Sequence, residues 1–305
     1  MQTRNPAVGF VGTGIMGEPM ALRILSRGFP VTVWNRSAER TESLFNSGAR
    51  VVSDCSDALR DVDVAVCMLN TASVIDEVLF ARNACSAVPV EVMKRGATLV
   101  VMSSIPVETS KRHARILEDA GVNYVDAPVS GGESGAKAGR LTIMAGGEAA
   151  VVQGVRSVLE TMGTVTHVGA VGMGQLAKLA NQIIVGMTIG AVAEALLLAK
   201  RGGADPRAVR DALCGGFADS AVLRIHGERM QDEQFTPGAP AVYQLKDLQT
   251  AQGFANSLNL RLPLLATITK LFEEMCGTEL AYLDHSALYA YLARTIENDE
   301  DLSAG

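Results

Sequence analysis

Lys178, Asn181 and Gln182 lie three and four residues apart in Gly172-Met173-Gly174-Gln175-Leu176-Ala177-Lys178-Leu179-Ala180-Asn181-Gln182. On a helix that spacing projects all three side chains from one face, where they can hold one polar ligand. The glycines ahead of them mark a helix start. A lysine there is expected to lose its proton more easily than a surface lysine, because the helix dipole disfavours a cation. Such a lysine can pass a proton to and from an alcohol. The plainer reading is a solvated lysine on an ordinary helix.

Two other stretches are built for anions. Asp126-Ala127-Pro128-Val129-Ser130-Gly131-Gly132 follows an apolar run, and Gly135, Gly139 and Gly146-Gly147 come soon after. Backbone N–H groups and a serine hydroxyl in a glycine-rich turn make a concavity suited to a small carboxylate; a flexible hairpin is the alternative. Near the start, Gly12-Thr13-Gly14-Ile15-Met16-Gly17 follows a strand and opens a helix. Its glycines allow a tight turn, close approach of backbone to a pyrophosphate and close helix–strand packing. At the end of the second strand, where an NAD site usually carries an acidic residue, the chain has Trp34-Asn35-Arg36-Ser37. Arg36 can pair with a 2′-phosphate while Asn35 and Ser37 hydrogen-bond it, so NADP(H) is the expected cofactor, with NAD(H) a possible substitute.

The elements that must position these residues fall into two halves. Ala7 to Val11, Val31 to Trp34, Val62 to Leu69, Thr98 to Ser103 and Val122 to Asp126 read as buried parallel strands. Glu18 to Arg27, Ala38 to Asn46, Val74 to Phe80 and Val107 to Ala120 read as crossover helices. Further strands are expected at Leu141 to Ala145 and Val165 to Val168. Strict alternation means a doubly wound α/β domain, here a Rossmann domain over 1–170. Leu69 and Ser104, at strand ends, join its cofactor site. From 171 to 305 no strand pattern appears, and an all-α domain follows, entered by a long interdomain helix. Asp205-Pro206 is a helix start, Pro237, Pro240 and Pro263 punctuate later segments, and Glu297 to Gly305 reads as a frayed polar tail.

Composition narrows the function classes. The 305 residues are 48% hydrophobic and 20% charged with net charge −6, which disfavours a nucleic-acid or anionic-membrane surface. Cys55, Cys67, Cys85, Cys214 and Cys276 lack metal-ligand spacing and read as free thiols in a reducing cytoplasm. Met1 to Pro6 offers no signal peptide. Ile183 to Ala199 is apolar except for Thr188 and Glu194, with a small-xxx-small spacing at Gly186 and Gly190. Its short length, Glu194 and the polar start favour a core helix over a membrane span. No metal site is expected, and His113, His167 and His226 have no evident partner in sequence.

Together these motifs resemble the β-hydroxyacid dehydrogenase family. The match runs from Gly9-Phe10-Val11-Gly12 through Gly17-Glu18-Pro19-Met20-Ala21, Asp126 to Gly132, Gly172 to Gln182 and Lys246-Asp247 to Asp284-His285-Ser286-Ala287-Leu288. The resemblance implies Lys178 as catalytic lysine, Ser130 and Gly131 (with Gly132) on the substrate carboxylate, and Asn181 in the substrate pocket. Gln182, Lys246 and Asp247 complete that pocket, although a surface ion pair is the alternative for the last two. Asp284 and His285 read as packing or capping residues. It further implies a homodimer or homotetramer. The reaction is hydride transfer between nicotinamide and the carbinol carbon of a short hydroxyacid.

Where many members carry two asparagines, Asn181-Gln182 resembles the tartronate semialdehyde reductase branch. Val101 stands where an aspartate is usual, and Gly215-Gly216-Phe217-Ala218-Asp219-Ser220 differs from the smaller loop of that branch, so Phe217 and Asp219 can reshape the pocket. The competing activities are 3-hydroxyisobutyrate dehydrogenase, against which Arg36 speaks, and glyoxylate or succinic semialdehyde reduction. An imine reductase would normally replace Lys178. A cofactor-binding regulator that lost the chemistry would be expected to lack the lysine, whereas Lys178, Ser130 and Asn181 are all present.

Overall fold

The computed structural model describes residues 5–81, 88–236, 238 and 240–303; Cys85 and Pro237 lie outside them. The chain divides into two compact units, Met1–Lys178 and Leu179–Gly305.

The first unit alternates strand and helix: β1 (Val8–Val11), α1 (Gly17–Ser26), β2 (Val31–Trp34), α2 (Glu42–Asn46), β3 (Arg50–Val51), α3 (Cys55–Leu59), β4 (Val64–Cys67) and α4 (Ala72–Ile75). Then come β5 (Thr98–Val101), α5 (Val107–Asp119), β6 (Asn123–Asp126), β7 (Val129–Ser130), α6 (Gly132–Ala138), β8 (Leu141–Gly146), α7 (Ala149–Leu159) and β9 (Gly163–Gly169). One sheet has the order β3-β2-β1-β4-β5-β6-β8-β7, with β9 on β8. From β3 to β6 every pairing is parallel, the doubly wound order expected of a dinucleotide fold. The sheet turns antiparallel where β8 meets β6 and β7.

Burial follows the two-residue period of a strand. Val8, Phe10, Val64, Val66 and Val100 pack with Met20, Ala21 and Ile24 on one face. Val11, Ala65, Cys67, Leu99 and Val101 pack with Leu59, Ile75, Leu79 and Leu117 on the other. With both faces covered, β1, β4 and β5 are buried at every residue, which is why they read as continuous apolar runs.

Some expectations change in detail. The helix expected over Ala38 to Asn46 is a 3₁₀ turn, Ala38–Thr41, followed by α2. The one expected over Val74 to Phe80 is α4 running on into a π-helical turn, Asp76–Phe80. The glycine-rich stretch after Ser130 is not all loop, because Gly132–Ala138 closes as α6, spanned by a Glu133–Lys137 pair four residues apart.

The long helix α8 (Met173–Arg201) leads into α9 (Pro206–Leu213), α10 (Ala221–Gln231), α11 (Ala241–Ser257), α12 (Pro263–Cys276) and α13 (Leu288–Ser303). Asp205 caps α9 through its bond from the Arg207 N–H. A helix to Ser303 overturns the frayed tail expected from Glu297 to Gly305: Glu, Asp and Leu are compatible with a helix, and no proline or glycine interrupts them before Gly305. By length and composition α8 could cross a membrane (mean hydropathy 1.9), yet 44% of its most apolar window is buried inside the protein. Within the second unit, Gly186 lies against Gln244 and Leu248 of α11, and Gly190 against Ile268 of α12. The small residues admit neighbouring helices.

Candidate active site

The turn between β1 and α1 is shaped for a dinucleotide. Gly12 has φ +95°, and a Cβ there would lie 2.4 Å from the Met68 carbonyl oxygen; one on Gly17 would lie 1.9 Å from that of Gly12. Only glycine allows both approaches. Gly14, by contrast, is open, and among the described residues the one atom within 4 Å of its missing Cβ is the Arg40 Nη1 at 3.9 Å. Ile15 is exposed and Met16 partly so. The turn is braced from outside: the Thr13 N–H donates to Asn35 Oδ1 (3.0 Å) and the Thr13 hydroxyl to the Arg40 carbonyl (3.0 Å). A cradle open at Gly14 and rigid behind it fits a pyrophosphate.

At the end of β2, Arg36 is exposed and lines a cavity of about 260 Å³ with Trp34, Asp54, Glu77 and Val78. Asn35 gives its amide to the protein, accepting from Thr13 and donating to the Ser37 carbonyl at 2.9 Å. Its placement is that of a brace. Leu69 packs near Gly12, and its N–H donates to Ser103 Oγ at 2.9 Å; Ser104 follows in the loop after β5. Arg40, four residues beyond Arg36 in the 3₁₀ turn Ala38–Thr41, is a cation that the sequence reading passed over.

Ser130 ends β7 and is half-buried. Gly131 and Gly132 follow at φ +132° and +61°, and among the described residues nothing lies within 4 Å of a Cβ built on Gly132. Backbone here is open to a ligand.

The start of α8 is seated on Asp126, a residue that sequence reasoning placed in the carboxylate loop without giving it a role. Its side chain is fully buried. Oδ1 accepts from the Gly172 N–H (2.7 Å) and Oδ2 from the Gln175 N–H (2.8 Å). Burial pushes the carboxyl up to about 6 even though these N–H groups pull the other way. Gln175 is also buried, accepting from the Ile105 N–H (3.0 Å) and donating to the Ser103 carbonyl (2.8 Å). Lys178, half-buried, comes three residues later on the same helix.

In the second unit the expected residues meet in an amide chain. Asn181 donates to Gln182 Oε1 (2.8 Å), and Gln182 donates to Asp247 Oδ2 (2.8 Å) and Gln244 Oε1 (3.1 Å). Gln244 donates back to the Gln182 carbonyl (2.9 Å), and the Lys246 ammonium lies 3.1 Å from Asp247 Oδ1. Gln244 is the missed member; it sits three residues before Asp247, on the same buried face of α11. Phe217 is wholly exposed and Asp219 is paired with Arg224.

The lone histidines have partners. His113, fully buried, bonds Asp76 (2.7 Å) and stacks on Phe80. His167 Nε2 lies 2.9 Å from the carbonyls of Gly147 and Gly169. His226 Nε2 lies 3.2 Å from His285 Nε2, beside Asp284. Asp284 accepts from the Ser286 N–H and hydroxyl, the Gly238 N–H and Arg229. That is the capping role read for it from the sequence. Cys55 and Cys67 are buried, Cys214 and Cys276 half-buried, and all four are free thiols.

Known proteins match along the whole of this framework. Residues 7–172 match the NAD binding domain of 6-phosphogluconate dehydrogenase, and residues 172–292 the NAD-binding family of NADP-dependent 3-hydroxyisobutyrate dehydrogenase. The 2-hydroxy-3-oxopropionate reductase of Escherichia coli K12 is 44% identical over 283 residues, 92% of this chain and 95% of that one. A 3-hydroxyisobutyrate dehydrogenase structure from Salmonella typhimurium superposes with TM-score 0.85 at 27% identity, over 94% of this chain and 100% of the other. One from Mycobacterium tuberculosis, with L-serine, gives 0.84 at 26%, over 94% and 99%. With a braced dinucleotide turn, a doubly wound sheet and these relatives over nearly its full length, the chain belongs to the β-hydroxyacid dehydrogenase family, NAD(P)-dependent oxidoreductases acting on CH–OH groups.

Proposed function

We propose that the protein reduces tartronate semialdehyde, or a similarly short semialdehyde acid, with NADPH, and that Lys178 is its proton donor and, in the reverse direction, its acceptor. The observation that carries this reading is the shared face of Lys178, Asn181 and Gln182 on α8, with Gln182 tied to Asp247. The name of the Escherichia coli relative supports the substrate class. Arg36 and Arg40, the latter beside the open face of Gly14, support a cofactor bearing an extra phosphate.

A nicotinamide dinucleotide held at the Gly12–Gly17 turn would supply the hydride for the aldehyde carbon. Lys178 Nζ delivers a proton to the oxygen as negative charge develops there. The Ser130 hydroxyl and the N–H groups of Gly131 and Gly132 hold the carboxylate, which fixes the carbonyl relative to the lysine. Asn181 is oriented by the bond it gives to Gln182, and Asp247 holds Gln182 in turn. That chain of bonds sets which atom of the Asn181 amide faces the lysine and the substrate oxygen.

The test is NADPH and NADH oxidation with tartronate semialdehyde, glyoxylate, succinic semialdehyde and methylmalonate semialdehyde. Turnover on tartronate semialdehyde, faster with NADPH, is expected. Lys178→Ala should lose about 10²–10⁴-fold in kcat while binding cofactor as the wild type does. Arg36→Glu should shift preference towards NADH. Near-wild-type turnover by Lys178→Ala overturns the mechanism, and an unchanged preference in Arg36→Glu overturns the cofactor assignment.

A further inference from the structure

We propose that Asp126 is a positioning residue for proton transfer: its carboxylate seats the start of α8, and with it Lys178, on the strand end that leads into the Ser130–Gly132 loop. The proposal rests on the reading of Lys178 as the proton donor.

The site is built at some cost to the fold. A Cβ on Gly146 would lie 2.7 Å from Asp126 Oδ1, and one on Gly174 would lie 2.8 Å from Oδ2. Glycines on two separate elements therefore leave room for one buried carboxylate. An apolar residue would fill the same space without the penalty of burying a charge. What the carboxylate adds is direction, because its two oxygens meet two N–H groups at the mouth of one helix.

Gln175 carries the restraint further. Its side chain bonds the Ser103 carbonyl and the Ile105 N–H, and the Ser103 hydroxyl accepts from the Leu69 N–H. The ends of β4, β5 and β6 are thus tied to the first turn of α8. Ser130 is four residues from Asp126 along the chain, and Lys178 is three residues from Gln175 on a continuous helix. The substrate loop and the lysine share one anchor. Proton transfer is sensitive to ångström-scale displacement of either.

The ionisation of this anchor gives a readout that a merely structural residue lacks. A protonated Asp126 cannot accept equally from both N–H groups, so the helix start loosens. The carboxyl titrates at about 6, raised by burial. Ionisable groups on the surrounding elements include Tyr124 on β6, Cys67 on β4, Lys178 on α8, His167 on β9, which bonds the Gly147 and Gly169 carbonyls, and, on α5, His113, which bonds Asp76, and Lys111, whose Cε would lie 3.6 Å from a Cβ on Gly172. Arg156 on α7 pairs with Glu160, and β5 and β8 carry no ionisable residue. Burial raises both Tyr124 and Cys67, the latter to about 12, so neither titrates near Asp126. In the reductive direction falling pH only keeps Lys178 protonated. An acid limb near pH 6 in kcat must then come from another group.

The experiment measures kcat, KM and cofactor affinity from about pH 5 to pH 9 for the wild type, Asp126→Asn, Gln175→Ala and Lys178→Ala. Wild type should show the acid limb. Asp126→Asn should bind cofactor normally, lose about tenfold or more in kcat and lack the limb. Gln175→Ala, which keeps its backbone N–H for Asp126, should lose several-fold in kcat and keep the limb. A folded Asp126→Asn with kcat within about twofold of wild type, or with the limb unmoved, overturns the proposal. If that variant does not fold, a flat wild-type profile or a wild-type kcat in Gln175→Ala overturns it. Lys178→Ala separates the levels: turnover retained there refutes the underlying reading, whereas turnover lost there with Asp126→Asn unaffected refutes the anchor alone.

Discussion

Asp126 and Asp284 are both buried carboxylates at the start of a helical segment, one in each unit, and their surroundings send them in opposite directions. Asp126 is fully buried and Asp284 is 1% exposed. Burial raises both. Around Asp126 the counterweight is backbone N–H from Gly172, Gln175 and Gly174, and among the described residues no lysine or arginine pairs with it; it titrates at about 6. Around Asp284, His226 and His285 and the two bonds from Ser286 outweigh burial and hold it well below the usual carboxylate range. The Arg229 guanidinium also lies 2.9 Å away. Around Asp126 the backbone N–H groups do not outweigh burial, whereas around Asp284 the imidazoles and the Ser286 hydroxyl do. The first arrangement can respond to pH near neutrality. The second is fixed.

The largest effect should come from breaking the fixed one. Asp284 joins α10, through Arg229 and His226, to the segment carrying Gly238 and to the turn before α13. Asp284→Ala leaves a partly buried guanidinium and several N–H groups without an acceptor, which should cost ~3–5 kcal/mol of unfolding free energy, measured by denaturant titration near pH 7. Because the native carboxyl is depressed, its stabilisation is complete above ~4, the unfolded value, and is lost as pH falls through the native one. A loss under about 1 kcal/mol would show that the network is incidental.

Asp126 should show the opposite sign. A carboxyl raised to about 6 is charged at a net cost to the fold, because burial penalises the ion more than its N–H bonds offset. The stability tied to its proton is therefore complete below ~4 and is lost as pH rises through about 6. Over that window ionisation should cost ~3 kcal/mol. Asp126→Asn removes the ionisation but keeps one acceptor, so at pH 8 its stability should lie within ~1 kcal/mol of wild type. The difference between the two unfolding free energies should change across pH 4–6. A constant difference would mean that Asp126 does not titrate there in the folded protein.

How legible each region was follows from the distance over which its residues act. β2 was readable to the residue because a short β-branched run between turn residues can be little else. The three polar groups at the start of α8 were readable because helical spacing is local. α7 was legible in principle, since Val152, Val155 and Val158 repeat at three, yet that stretch was assigned no element. α6 was hidden by its own glycines. Asp126 and Gly172 are 46 residues apart and His226 and His285 are 59 apart; nothing local joins them. One trace of the first did exist. Gly172-Met173-Gly174 has a glycine on either side of an apolar residue at a helix start, which phosphate binding did not require and which a carboxylate pressed against the backbone explains.

The smallest effect should come from His226, and it sharpens the comparison most finely. His226 stands with Nδ1 3.5 Å from Asp284 Oδ1 and Nε2 3.2 Å from His285 Nε2. If the Arg229 guanidinium can hold Asp284 ionised once the His226 imidazole is gone, replacing that imidazole with a neutral amide of similar reach should matter little. His226→Gln should then cost about 1 kcal/mol, well under Asp284→Ala, and leave the acid dependence of stability in place. If the loss instead approaches that of Asp284→Ala, the imidazole is the essential partner and the guanidinium, a third exposed, is largely screened. Unfolding of the double variant with Arg229→Ala completes the cycle, and a coupling below about 0.5 kcal/mol would show that the two side chains act on the carboxylate independently.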